Sequence, residues 1–290
     1  MAATAAAKYI LVTGGNAGIG LALSKLLATD HSCHVFLGAR DLAKGEAARD
    51  GIVSAFPAAA DKIEVVQIDV SDNASVTTAA GVIKAKGVTL YAVVNNAGIG
   101  LAHGDVGGAQ AIMNTNYLGP KRVTETMVGL VDPTHGRIVN TSSGVASMWL
   151  RDQDAATKAL FSNPDLTQEA LDAATDAHLA SGNVGMGGGY GLSKAALSAL
   201  TLVQAKAHPQ LKVLSLSPGF IDTNMTRGFG AKLTPEQGCV SALRCLFGDD
   251  VVSGAYYGSD GLRSPLTCSR DPGTPEYRGE ADPDPAVYNN

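Results

Sequence analysis

Between an apolar run, Tyr9-Ile10-Leu11-Val12, and a stretch of helical periodicity from Gly18 to Thr29, the chain places Thr13-Gly14-Gly15-Asn16-Ala17-Gly18-Ile19-Gly20. Few features restrict a fold as much. A run with no polar face reads as a strand buried on both sides, the habit of parallel sheets. Leu21, Leu23, Leu26 and Leu27 give the following helix its apolar side. The glycines let the backbone turn tightly between the two elements and leave the helix N-terminus open to an anion such as a pyrophosphate. The spacing is Gly-x3-Gly-x-Gly rather than Gly-x-Gly-x2-Gly, so the role of each glycine carries over only loosely.

The same alternation continues downstream. His34 to Leu37, Glu64 to Ile68, Ala92 to Asn95, Arg137 to Thr141, Lys212 to Ser217 and Ala255 to Tyr257 read as further strands. A long helix is expected from Gln110 to Val131, and another opens at Thr234-Pro235-Glu236-Gln237, which has a hydroxyl N-cap, Pro at the first helical position and Gln three residues on. Repeated βαβ units imply an α/β fold with a doubly wound parallel sheet of about seven strands. No repeat or change of composition marks a boundary, so residues 1–290 are expected to form a single domain. Within it, a helical segment is inserted at about Ser147 to Gly189, and an irregular tail runs from about Arg263.

Three places in the chain then suggest chemistry. Arg40 lies 20 residues after Gly20, just past the second strand, where dinucleotide-binding folds place an acid for the NAD ribose or an Arg for the NADP 2′-phosphate. Ala39 stands where the acid belongs, which favours NADP(H) over NAD(H). Asp41, next in line, is read as the cap of the following helix. Tyr190 and Lys194 are four residues apart, hence on one helix face, where a cation can favour the phenolate of a group whose pKa is otherwise near ~10. Ser142 and Ser143 end the fifth strand on the side where open α/β sheets hold ligands, and both remain candidates there.

Taken in order, Thr13-Gly14-x3-Gly18-Ile19-Gly20, Asn95-Asn96-Ala97-Gly98, Asn116, Ser143, Tyr190-x3-Lys194 and Pro218-Gly219-x3-Thr223 resemble the short-chain dehydrogenase/reductase family over roughly Lys8 to Leu262. The chain is most similar to its monomeric carbonyl reductases, with their long insertion before the tyrosine. The resemblance implies a Rossmann-like fold in which Tyr190 exchanges the proton, Lys194 lowers its pKa and holds the nicotinamide ribose, and Ser143 orients the substrate carbonyl. Asn116 would hold a relay water, with Asn114 as a competing choice. Gly14, Asn16, Gly18, Ile19 and Gly20 would meet the cofactor, as would Asp69 and Val70 at the adenine. Asn96, Ala97 and Gly98 would line the cleft, followed by Pro218, Gly219, Ile221 and Thr223 near the carboxamide. Carbonyl reductases often carry a basic residue in the glycine loop; Ala17 stands here and leaves more of the 2′-phosphate to Arg40.

Composition narrows the partners. A formal charge of −5 without a dense Lys/Arg run argues against nucleic acid. No apolar stretch reaches the ~18 residues of a membrane span, and Met1 to Ala7 lacks the pattern of a secretory leader. Four scattered cysteines suggest reduced thiols and a cytoplasmic location. No pair of the six histidines has metal-ligand spacing, so no metal site is expected. The expectation is an NADP(H)-dependent oxidoreductase acting on a small carbonyl compound or alcohol. A catalytically silent cofactor-sensing protein is the alternative from another class, and a sugar-nucleotide epimerase the third. Substrate walls are expected from Gly98 to Gly108, Ser147 to Gly189 and Phe220 to Lys232. Ser143 and Tyr190 are 47 positions apart, too far for a structureless loop. Helices are expected there at Asp154 to Phe161 and Thr167 to Ala180, with Gly185 to Gly189 as a hinge. This insertion would wall the substrate cleft and keep the protein monomeric by obstructing the Gln110 to Val131 helix.

Overall fold

The computed structural model describes residues 7–100 and 106–289. Its strands are β1 (Tyr9–Val12), β2 (His34–Ala39), β3 (Ile63–Gln67), β4 (Leu90–Asn95), β5 (Arg137–Thr141), β6 (Lys212–Leu216), β7 (Tyr256–Tyr257) and β8 (Arg263–Ser264). They form one sheet in the order β3-β2-β1-β4-β5-β6-β7-β8. All neighbours are parallel except β7 and β8, which run antiparallel. The sheet is therefore mixed and has eight strands, not the seven of a purely parallel sheet. The eighth comes from the tail expected to be irregular.

Successive residues of a strand point to opposite faces, and β1 divides accordingly. Ile10 and Val12 join Leu23, Leu27 and Leu246 on one face, while Leu11 joins Val76, Ile83, Val123 and Met127 on the other. The helices are α1 (Gly18–Thr29), α2 (Leu42–Ala55), α3 (Asn73–Ala85), α4 (Gly108–Asn116), α5 (Leu118–Met127), α6 (Gly144–Arg151), α7 (Ala155–Phe161), α8 (Gln168–Ser181), α9 (Met186–Ala207), α10 (Val240–Phe247) and α11 (Pro285–Tyr288). Asp41 caps α2, its side chain accepting from Lys44 N at 3.1 Å.

The single helix expected from Gln110 to Val131 is broken. It becomes α4 and α5, followed by a 3-10 turn at Val128–Leu130. Pro120 explains the break: it has no N–H for the Asn116 carbonyl, and its ring would crowd that oxygen. The helix expected from Thr234 also begins late. Thr234 and Gln237 do exchange cap hydrogen bonds, but a 3-10 turn precedes α10.

Inside the insertion, the two expected helices are α7, capped by Asp154, and α8, capped by Thr167. A third, α6, starts directly after Ser143 and was not read from the sequence. These helices share a core with α4 and α9, in which Tyr117, Trp149, Phe161, Leu171 and Leu192 are buried together. Gly187, Gly188 and Gly189 have φ of +69°, +59° and +126°, so α9 is regular only from Tyr190 onward. An L-residue rarely adopts such angles.

Candidate active site

The first βα turn is packed too closely for side chains at its glycines. Gly18 has φ +52°, and a Cβ on Gly20 would collide with the Gly14 carbonyl and the Asn96 amide. Asn96 fastens the loop from the end of β4, donating to Thr13 O at 3.0 Å and Gly14 O at 3.3 Å. Ala17, the N-cap of α1, offers no side-chain cap, so the first-turn N–H groups face no competing side chain there. From this loop a cleft of about 460 Å³ runs past Asn16 and Ile19, with Arg40, Asp69 and Val70 at one end and Ala97 and Gly98 along its side. It ends at Tyr190, Lys194, Pro218 and Thr223. Arg40 is exposed at the rim, and Asp69 is turned by accepting from Ser71 N at 2.9 Å and Ser71 Oγ at 2.6 Å.

A second cavity, of about 610 Å³, opens on the other side of Tyr190. Ser143, Ser147 and Ser217 line it among apolar residues such as Val145, Met148, Phe220 and Phe229. The two spaces share Ile19, Tyr190, Pro218, Thr223 and Met225. Gly219 and Ile221, expected beside the cofactor, line this second cavity.

Tyr190 is 6% exposed and Lys194 3%. The Lys194 ammonium lies 5.6 Å from the Tyr190 ring centroid and donates to Thr141 O at 2.7 Å. Burial pushes the phenol up to about 12, with the Ser143 hydroxyl acting against that. Burial also pushes Lys194 down to about 8. Burial is the largest influence on both groups. Charge brought out of water is disfavoured in both groups, which keeps the tyrosine protonated.

The competing candidates separate by their bonds. Ser143 caps α6, accepting from Val145 N at 3.2 Å, and faces the cavity. Ser142 turns the other way, donating to Lys194 O at 2.9 Å beside Ser198. Asn116 accepts from Ile99 N and donates to Ile99 O, each at 2.8 Å, and donates to Ser193 Oγ at 3.0 Å. A Cβ on Gly98 would lie 3.3 Å from Asn116 Oδ1 and 3.4 Å from Lys194 Nζ, so these two side chains border one small gap. Asn114 is bound to Ser71 O and Arg122, away from that gap.

Of the expected substrate walls, residues 101–105 of the first lie outside the described residues. The insertion reaches the cavity only at its ends, through Ser147, Met148, Met186 and Gly187, and neither α7 nor α8 lines it. Phe220, Thr226 and Phe229 do line it. Missed from the sequence were Tyr256 and the tail residues Ser264, Ser269, Arg270 and Asp271. The tail is held there by Arg270, whose fully buried side chain meets Asp260 through two hydrogen bonds of 2.9 and 2.8 Å. Asp260 and Arg270 are ten positions apart, and their pairing depends on the return of the chain in three dimensions, so local periodicity gave no signal.

Comparison with known proteins agrees with this geometry. Residues 8–159 match the model of the family described as short chain dehydrogenase. The (+)-neomenthol dehydrogenase of Arabidopsis thaliana is 30% identical, covering 82% of this chain and 90% of that protein. Carbonyl reductase (NADPH) 1 of Pongo abelii is 30% identical over 79% of this chain and 86% of its own. The solved structure of salutaridine reductase from Papaver somniferum superposes with a TM-score of 0.74 at 28% identity, covering 86% of this chain and 99% of that one. Among the described residues, no helix is long and apolar enough to cross a membrane.

Proposed function

This chain belongs to the short chain dehydrogenase family, and from that premise we propose that it is an NADP(H)-dependent oxidoreductase interconverting a carbonyl compound and an alcohol. The observation that carries the reading is the meeting of two cavities at Tyr190: one bordered by a glycine cradle and Arg40, the other largely apolar. Such a shape suits a dinucleotide on one side and a small organic molecule on the other. The named NADPH dependence of the carbonyl reductase relative supports the choice of cofactor.

The cleft residues fit this cofactor. Gly14, Asn16, Gly18, Ile19 and Gly20 would hold the pyrophosphate and Arg40 the 2′-phosphate, whose several oxygens match a forked guanidinium. Asp69 and Val70 would border the adenine, with Asn96, Ala97, Gly98, Pro218 and Thr223 along the remaining length. NADPH, when bound, supplies the hydride that reduces the carbonyl carbon.

The chain's own work is positioning and proton transfer. Ser143 donates to the carbonyl oxygen, and Tyr190 delivers its proton there as negative charge develops. Burial keeps that proton on the phenol until it is needed. Lys194, anchored to Thr141, holds the ribose and keeps positive charge beside the phenol. Asn116, fixed by Ile99 on both its polar atoms, would hold the water that returns a proton. We also assign the protein as a monomer, because Asp172 of α8 receives the Tyr117 hydroxyl at 2.5 Å and so brings α8 to the junction of α4 and α5.

A panel of ketones, aldehydes and quinones, followed by loss of NADPH absorbance, tests the activity. Turnover of at least one member is expected. Tight NADPH binding without turnover of any would overturn the reading in favour of a silent cofactor-binding protein.

A further inference from the structure

The larger cavity contains a second phenol. Tyr256, the first residue of β7, is 5% exposed, lines the cavity with Tyr190, and has the Ser147 and Ser217 hydroxyls beside its own. A hydroxyl donates once and accepts twice, so the bonds of these serines can be accounted for. Ser217 Oγ accepts from Gly144 N at 3.0 Å and Gly219 N at 3.3 Å. Its accepting capacity is used, and what it has left to offer the phenol is its proton. Ser147 gives its single proton to Pro265 O at 3.3 Å, so towards the phenol it can only accept. Ser217 can therefore offer Tyr256 a proton, and Tyr256 keeps its own O–H to give, either to Ser147 or to an atom inside the cavity.

A phenylalanine would fill this wall equally well. The hydroxyl matters because much of the surrounding surface is apolar, with Val145, Met148, Phe220 and Phe229 nearby in the lining. A few polar groups in such a wall fix the orientation of a bound molecule. Burial pushes Tyr256 up to about 12, which keeps it a donor at neutral pH.

Resting on the carbonyl-reducing reading of this site, we infer that Tyr256 anchors a second oxygen, so that the substrate is a carbonyl compound carrying a further hydroxyl or carbonyl group. The reacting carbonyl faces Tyr190 and Ser143 while the second oxygen accepts from Tyr256. Selection is then by the pair of oxygens and not by the reacting group alone.

The test compares three dicarbonyl compounds with monocarbonyl partners: acetylbenzoyl with propiophenone, benzoylacetone with butyrophenone, and naphthoquinone with tetralone. Each is assayed with wild type, Tyr256→Phe and Ser147→Ala. In Tyr256→Phe, the KM of at least one dicarbonyl relative to its partner should rise about tenfold, the effect of a lost buried hydrogen bond. Ser147→Ala removes the competing acceptor and should move the same ratio the other way; it carries the test alone if the Phe variant does not fold. Ratios within about twofold of wild type for all three pairs, in whichever variants fold, would overturn the anchor. If the wild type reduces none of the six compounds, the carbonyl-reducing reading itself fails. If it reduces the monocarbonyls and the ratios do not move, only the anchor fails.

Discussion

Lys194 and Thr141 are joined across the end of the sheet: the lysine ammonium donates to the threonine carbonyl at 2.7 Å, one turn of α9 from the phenol of Tyr190. The cation is thereby fixed to the end of β5. Removal from water pushes the phenol up to about 12 and the ammonium down to about 8.

Replacing Tyr190 with Phe should lower kcat by ~10²–10⁴ while the NADPH Kd changes little. The ring keeps its packing and loses the one proton it can exchange. Steady-state kinetics and calorimetric titration of the same preparation check both halves, and wild-type turnover in the variant would remove Tyr190 from the proton step.

Arg40 should decide between the two nicotinamide cofactors. Wild type is expected to bind NADPH at least tenfold more tightly than NADH, since a charge-assisted hydrogen bond contributes roughly 1.5–3 kcal/mol. Arg40→Ala should remove most of that difference. Equal affinities in the wild type would reject the assignment, because Asp41 is already engaged as the cap of α2.

Lys194 should weaken the fold it serves. Its pKa falls from the ordinary 10.5 to about 8, so the unfolded chain binds this proton more tightly than the folded one. The penalty is fully present below about 8 and is relieved as pH rises towards 10.5. Lys194→Met should therefore abolish turnover yet raise stability at neutral pH by ~1–3 kcal/mol. Urea denaturation on both sides of that window checks the sign: the advantage of the Met variant must shrink as pH rises.

Asp260→Asn should loosen the tail wall. It leaves the Arg270 guanidinium buried without its counter-charge, at a cost of ~3 kcal/mol. Tail amides should exchange faster with deuterium, and the KM of a bulky ketone should rise more than that of a small aldehyde. A lower denaturation midpoint with both KM values unmoved would make the ion pair a matter of stability alone.

Light scattering should return a monomer. Asp172 of α8 accepts from Tyr117, at the start of α5, and lies 3.8 Å from Lys121, so α8 sits beside the first turn of α5, where it would meet a partner packed on that end. A stable dimer packed through α5 would refute this assignment.

Much of this arrangement was legible from local signals. The Gly18–Thr29 helix and the caps Asp41, Asp154 and Thr167 follow from residue types that favour those positions whatever lies further along the chain. Tyr190 and Lys194 were visible as a spacing, and Pro120 was an available but unused sign of the α4–α5 break. What could not be read were features decided by distant partners. Ser142 and Ser143 differ only in which way the chain turns once Ser198 and α6 are in place. Strand β8 exists because Arg263 and Ser264 return beside Tyr257 and Tyr256. Likewise, no local pattern foretells that desolvation raises the phenol pKa, since burial belongs to the assembled core.

The three left-handed glycines before Tyr190 also bear on how such a protein changes over generations. In an unbroken helix each inserted residue turns everything after it by about 100°. Were α8 continuous with α9, a change of length upstream would swing the phenol away from Ser143. The chain instead reaches Tyr190 through Gly187–Gly189, whose backbone is not helical and does not transmit that rotation. A change of length within residues 152–184 that keeps Phe161 and Leu171 in their shared core with Leu192 therefore need not turn Tyr190 through the backbone.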